Sequence, residues 1–321
     1  YDTALQLQRY RAPQPDQAWS QQPLGLAGQP EGSIDLETLI RFYSHPIRFF
    51  FNSRLGISMP SQDQQQDEES FGLRGLEKWA LATRLAEDIV SDQTSDVELF
   101  AAQGLLPHGR AAQSEWLELQ QDFQPLLERL QEYRGLQAAA RSVDCEIGDG
   151  VTLTGQVRAC YPGTGLMHFS ASKSVKSRAL LTLWLQHLAL CAAGQLAEAE
   201  TSQLITAQDN GIRYRRIMAP EARALLADYF ELFRLGLEFP LPVFPDTSYA
   251  WARETDPEQA MKKAMQVWQG GLYRGAPPGE CEDELIRLAL HNNSQDPLKD
   301  ALFRDCANRI YRPAIDQDGS S

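Results

Sequence analysis

Val151-Thr-Leu-Thr-Gly-Gln-Val-Arg-Ala-Cys-Tyr-Pro-Gly-Thr-Gly-Leu-Met-His-Phe-Ser170 is where the hydrophobic period of the chain changes. Val151, Leu153 and Val157 fall on one side of a period-two pattern, which predicts a half-buried strand over residues 151–159. Pro162-Gly-Thr-Gly165 supplies a turn, and residues 166–170 return as a short strand. Residues 143–147 just upstream alternate in the same way, so the three segments read as a β meander. Residues 177–197 then form a long apolar helix, and residues 204–207 and 212–217 flank Asp209-Asn210-Gly211. Asn-Gly supplies the positive φ angles of a type I′ turn, which predicts a tight hairpin there.

Outward from this core the pattern is helical on both sides. Leu36, Leu39, Ile40 and Tyr43 recur at helical spacing after a start signal at Ser33-Ile34-Asp35. Pro46 breaks that run, and a second helix over residues 47–55 stops at Gly56. Residues 61–70 hold no apolar side chain and read as a solvated loop, after which stripes over residues 75–90 and 114–136 predict two longer helices. Further helices are predicted over residues 219–236, 256–270, 281–292 and 297–311, interrupted by the loop Phe239-Pro-Leu-Pro-Val-Phe-Pro245. Residues 1–32, with Pro13, Pro15, Pro23 and Pro30 among Gln and Gly, read as an extended linker from a preceding region. The expected organisation is one α/β (α+β) domain over residues 33–321. It has a helical part (33–140), a core with a central mixed sheet (141–220) and a second helical part (221–312).

The 321 residues carry 43 Asp and Glu against 30 Lys and Arg, a formal net charge of −13. That sum excludes histone-like or polybasic membrane binding through the bulk field, so any contact with nucleic acid needs a local patch. An apolar fraction of 43% with 23% charged residues is that of a folded chain able to bury a core. Cys145, Cys160, Cys191, Cys281 and Cys306 stand far apart with no Cys-x-x-Cys pair, which argues against a disulfide framework or zinc site and predicts a reducing, cytoplasmic compartment. His45, His108, His168, His187 and His291 are scattered, and Gly-Lys-Ser/Thr never occurs, so neither a metal site nor an ATP loop is expected. Residues 179–196 are interrupted by Gln186, His187 and Gln195 and read as a buried helix rather than a membrane span, and no secretory signal is expected. Phe49, Phe50 and Phe51 could stack bases, yet adjacent aromatics on a short helix more often pack, and Trp184 and Leu188 read as core.

The most informative pattern is an absence. Between Asp149 and Glu198 there is no Asp or Glu, while Arg158, Lys173, Lys176 and Arg178 give the window a net charge of +4. A short sheet and a buried helix are acid-poor for packing reasons alone. A strip facing phosphates gives the same pattern, because cations there bind the backbone without competing carboxylates. Arg213, Arg215 and Arg216 lie on the second hairpin strand, with Arg213 and Arg215 on one face. They read either as edge-strand protection or as phosphate contacts, and the tip Asp209-Asn210-Gly211 reads as a wedge against a duplex.

Ser33-Ile-Asp-Leu-Glu-Thr-Leu-Ile-Arg-Phe-Tyr-Ser-His-Pro-Ile-Arg-Phe-Phe-Phe-Asn-Ser-Arg-Leu-Gly56, Leu183-Trp-Leu-Gln-His-Leu188 and the loop from Leu237 to Pro245 together resemble the C-terminal domain of the RecC family, the gamma subunits of exodeoxyribonuclease V. The resemblance covers residues 33–312 and implies a restriction-endonuclease-like, PD-(D/E)XK nuclease fold that is catalytically inactive. Active proteins of that fold carry a Gly-x-Ile-Asp strand, an acid-x-Lys strand and a histidine on an earlier helix. Here Leu153-Thr-Gly-Gln-Val-Arg158 puts Arg158 at the metal-binding aspartate, Ala171-Ser-Lys173 keeps the lysine with Ala171 at the acid, and Trp79 stands at the histidine. Metal-dependent phosphodiester hydrolysis needs carboxylates to hold Mg²⁺, so no catalytic residue, metal or other cofactor is expected in this domain.

By the same resemblance, ATP and Mg²⁺ are used by partner subunits, RecB and RecD, of a heterotrimer. It further implies double-stranded DNA ends and single-stranded DNA as ligands. The domain would act in duplex splitting and strand guidance during double-strand break repair by homologous recombination. Arg158, Lys173, Lys176, Arg178, Arg213, Arg215 and Arg216 would then contact DNA. Two other readings stand beside it: an active metal-dependent exonuclease drawing on Asp144, Glu146 or Asp149, and a protein-docking module without DNA contact.

Overall fold

Asp35 decides where the first helix begins. Its carboxylate accepts the Thr38 N–H at 3.2 Å, an N-cap that fixes α1 at Leu36–Ser44. Ser33–Asp35, read from the sequence as part of that helix start, is instead a strand, β1, paired in parallel with residues 152–154 of β3 (Val151–Tyr161). Three residues carry no periodicity of their own, and their extended form comes from a ladder partner remote in sequence. His45 ends α1 and starts α2 (Pro46–Arg54) by accepting the Arg48 N–H on Nδ1 at 3.2 Å, with Pro46 at a position whose missing N–H costs nothing.

The computed structural model describes residues 24–25, 32–58, 75–107, 109–148, 150–207, 211–271, 278–291 and 296–319; most of the expected linker and the 61–70 loop lie outside the described residues. After α2 come α3 (Gly75–Val90), α4 (Val97–Ala102) and α5 (Arg110–Leu130). β2 (Ala139–Gly148), β3, β4 (Gly165–Ser170), α6 (Ser177–Ala192), β5 (Thr201–Thr206) and β6 (Ile212–Arg215) follow. The last helices are α7 (Ala219–Glu238), α8 (Pro245–Ala252), α9 (Pro257–Gln269), α10 (Glu284–Ala289) and α11 (Ala301–Asp316).

The six strands form one mixed sheet with β3 as its spine. β2 runs antiparallel along one edge of β3, from Ala139 opposite Cys160 to Gly148 opposite Val151. The other edge is shared by β1 and, at Cys160 and Tyr161, by β4. Beyond Leu166, β4 leaves β3 and pairs in parallel with β5, and β6 pairs antiparallel with β5.

Helices cover both faces. Leu153, Val157 and Trp184 belong to a core shared with α1, α6, α7 and α11. Tyr161, Met167, Ala171, Ile205 and Ala207 pack on the other side against α3, α4 and α5. A third cluster joins α2 to α8, α9, α10 and α11 around Phe50, Phe244 and Phe303. Phe49, Phe50 and Phe51 are all buried, and the Phe49 ring meets Phe42 and Phe233 edge-on, so this aromatic triplet packs. Mixed α/β architecture with a central mixed sheet flanked by helices agrees with the sequence reading.

Candidate nucleic-acid interface

Between Val157 and Cys160 the β2–β3 ladder slips by one residue, because Arg141 pairs with Val157 while Ala139 pairs with Cys160. Arg158 and Ala159 therefore stand together opposite Ala140, a bulge that breaks the alternation and re-aims side chains. Val157 and Cys160 both point into the core, and Arg158 is exposed.

Lys173 lies on the segment leaving β4, Lys176 is the N-cap residue of α6, and Arg178 is in its first turn; all three are exposed. That helix has no acidic residue in its first turn and no side-chain cap, so its N-terminal partial positive charge adds to the three side chains. Among the described residues, none of Arg158, Lys173, Lys176 and Arg178 takes part in an ion pair. Lys176 and Ser177 also line a groove of about 830 Å³ with Asp246, Tyr249 and Arg253; there Ser177 Oγ donates to Asp246 Oδ1 at 2.6 Å and the Arg253 guanidinium sits 5.5 Å over the Tyr249 ring.

β6 alternates as expected, with Arg213 and Arg215 exposed and Tyr214 fully buried; Arg216, just past the strand, is exposed too. The last pair among the described residues is Leu204 with Ile212. Asp209 and Asn210 lie outside the described residues. Gly211 has a φ of +73°, and a Cβ there would stand 1.9 Å from the Leu204 carbonyl oxygen, so a close backbone approach requires glycine at this position. Arg213 is engaged on three sides: Nη2 donates to Gln203 Oε1 at 3.1 Å, its backbone N–H donates to Asp318 Oδ1 at 3.1 Å, and its carbonyl accepts the Gly319 N–H at 2.9 Å.

Of the positions at which a nuclease would hold its metal, Ala171 is 4% exposed and sits in the apolar cluster under α3. Trp79 lies on α3, which packs against β4, the strand leading to Ala171; the Trp79 side chain is outside the described residues. Asp144 and Glu146 are exposed on β2, opposite Thr154 and Thr152, while Asp149 lies outside the described residues. Among the described residues no group of three or more His, Cys, Asp or Glu could hold a metal ion.

The histidines are held separately. His187 is buried between Ser202 Oγ, 2.9 Å from Nδ1, and Cys191 Sγ, 3.6 Å from Nε2; burial pulls its pKa down to about 4 and pushes the Cys191 thiol up to about 11. His168 binds Gln186 on α6 at 2.7 Å, and His45 caps α2 and faces Asp283. His108 lies outside the described residues.

Two arginine arrangements carry no signal in the sequence because their partners are remote. Arg141 Nη1 and Nη2 reach the two Glu200 carboxylate oxygens at 2.6 Å each. Glu200 also accepts the N–H groups of Gly163 and Ala197 at 3.0 Å each, tying β2, the β3–β4 turn and the α6–β5 loop together. The Arg141 hydrogen bonds hold the Glu200 carboxyl at about 2. Separately, Arg129, Tyr133, Gln203 and Arg213 line a cavity of about 330 Å³ at the root of the hairpin.

A family model described as the RecC C-terminal domain matches residues 31–256. This chain belongs to the RecC C-terminal domain family. It is 29% identical over 257 residues to the RecBCD enzyme subunit RecC of Escherichia coli (strain K12), covering 75% of this chain and 22% of that protein. Against the RecBCD enzyme subunit RecC of Mycolicibacterium smegmatis it is 30% identical over 236 residues, covering 70% of this chain and 21% of the relative. The RecBCD enzyme subunit RecC of Mycobacterium tuberculosis (strain ATCC 25618 / H37Rv) is 26% identical over 263 residues, 79% of this chain and 23% of the relative. The chain thus spans about a fifth to a quarter of the length of these RecC proteins. Within the RecC-matched segment fall the whole sheet, the acid-free window and the hairpin arginines; α9, α10 and α11 lie beyond it. Among the described residues, no helix is long and apolar enough to cross a membrane.

Proposed function

We propose that this chain is a non-catalytic, DNA-guiding and subunit-docking domain of a RecBCD-type helicase–nuclease, acting in the cytoplasm in duplex splitting and strand guidance during double-strand break repair. Its fold, in this reading, is a PD-(D/E)XK nuclease core that has lost its metal site. The observation that carries the reading is the set of four exposed cations without an ion pair among the described residues, Arg158, Lys173, Lys176 and Arg178, in an acid-free window of a chain whose net charge is −13.

The membership of the RecC family and the names of the relatives as RecBCD subunits support the assembly, with RecB and RecD as partner subunits and ATP and Mg²⁺ used there. The apolar burial of Ala171 supports the loss of catalysis: a carboxylate there would be desolvated, and Arg158 offers a fixed positive charge that grips a phosphate without activating water.

The test is charge reversal in the complete assembly. Lys173→Glu, Lys176→Glu and Arg178→Glu together weaken binding of a forked DNA at low salt and reduce the slope of log affinity against log salt by about 2 to 3, as expected for roughly 0.7–0.9 counterions released per phosphate contact. Unchanged affinity and slope would leave a docking module without DNA contact. Metal-dependent cleavage that persists when the partner nuclease is inactivated and vanishes with Asp144→Ala or Asp149→Ala would establish the active nuclease instead.

A further inference from the structure

The cavity at the hairpin root is built from polar groups that hold one another in place. Gln203, on β5, is only 4% exposed. Its Oε1 accepts Arg213 Nη2 at 3.1 Å, and its side chain is also hydrogen-bonded to Tyr133, whose hydroxyl meets Glu132. From the other wall Arg129 on α5 donates Nη1 to the Thr206 carbonyl at 3.0 Å. Two guanidiniums thus line one concave space, fixed by a buried amide and a backbone carbonyl, with Glu132 the one carboxylate among the described lining residues. Guanidinium forks match the tetrahedral oxygens of phosphate better than a point charge does.

We infer that this cavity is a phosphate site that takes one backbone phosphate of a nucleic-acid strand as it passes the root of the β5–β6 hairpin. It deepens, and rests on, the DNA-guiding reading, but it uses residues outside the Lys173–Arg178 strip. Arg129, Tyr133 and Gln203 are ordinary polar residues on a helix, a 3₁₀ turn and a strand, and the pleat and the return of α5 to the sheet bring them together.

The experiment uses the complete assembly and forked DNA carrying single neutral methylphosphonate linkages, placed one at a time around the junction. In the wild type one position costs about tenfold in affinity, the worth of a charge-assisted hydrogen bond. Arg129→Ala or Arg213→Ala costs about the same, and in either variant the sensitive linkage costs nothing further. Arg129→Lys, which keeps the charge and the fold but lacks the fork, retains part of the affinity. A loss spread evenly over all linkages would mean a diffuse field and overturn the site.

Inorganic phosphate, titrated at constant ionic strength, is the arm that does not depend on DNA. It raises the thermal midpoint of the wild type and not that of Arg213→Ala. Stabilisation by phosphate with no sensitive linkage would leave a small-anion site and overturn the nucleic-acid assignment. Wild-type DNA binding in both alanine variants with no phosphate effect would overturn the cavity altogether, while the Lys173–Arg178 strip still stood or fell by its own salt slope.

Discussion

Arg141 and Arg158 flank the same β-bulge on neighbouring strands, and the molecule uses them in opposite ways. Arg141 is drawn into a bidentate pair with Glu200, whose side chain is 6% exposed, and that pair joins one strand and two loops. Arg158, like Lys173, Lys176 and Arg178, stands exposed with no ion-pair partner among the described residues. Arg309 repeats the first pattern where it bridges Asp228 and Glu231 between α11 and α7. One class of cation is spent on holding the chain together; the other is left available. The difference shows that a net charge of −13 says little about where positive charge can act, because every acid lies outside the window that matters.

The sharpest way to break this comparison is to remove one anchor. Arg141→Ala strands a buried Glu200 carboxylate and should cost about 3–5 kcal/mol in chemical denaturation, with no change in the salt slope of DNA binding at permissive temperature. A loss under 1 kcal/mol would mean the pair is no anchor.

Next in size is a pH effect. The folded Glu200 carboxyl is held at about 2, below its ordinary value near 4.5, so its stabilisation is fully present above about 4.5 and is lost as pH falls from there toward 2. The loss should be on the order of 3 kcal/mol. Glu200→Gln should flatten this part of the stability profile, which equilibrium unfolding at stepped pH would read.

The smallest effect belongs to the open cations. Lys173→Ala or Lys176→Ala should change unfolding free energy by less than about 0.5 kcal/mol, since each is exposed and has no ion pair among the described residues. A larger destabilisation would show that these side chains serve the fold after all.

Much of the architecture was readable because it is local. The stripe from residue 75 to residue 90 became α3 without a shift, and the alternation of Leu153 and Val157 became the buried side of β3. What escaped was short or distant. α4 and α8, of six and eight residues, carry too few turns to announce themselves and are held by packing of Phe100 and Trp251. The hairpin pairing was legible, while the close approach of the Leu204 carbonyl to Gly211 was not, since it depends on where two strands meet. At the candidate interface the cations could be read from composition alone. The ring of Arg129, Tyr133, Gln203 and Arg213 could not, since four separate elements must meet before it exists.

β1 has a consequence for how the molecule comes to be folded. Residues 33–35 pair with residues 152–154, so the earliest strand among the described residues must wait for its spine to be synthesised. During that interval α1 has its Asp35 cap but neither the sheet nor α7 to cover its apolar face, with Phe42 and Tyr43 still wet. Closing so long a loop is slow and leaves apolar surface exposed meanwhile, which makes the N-terminal segment the part of this domain most dependent on protection during synthesis.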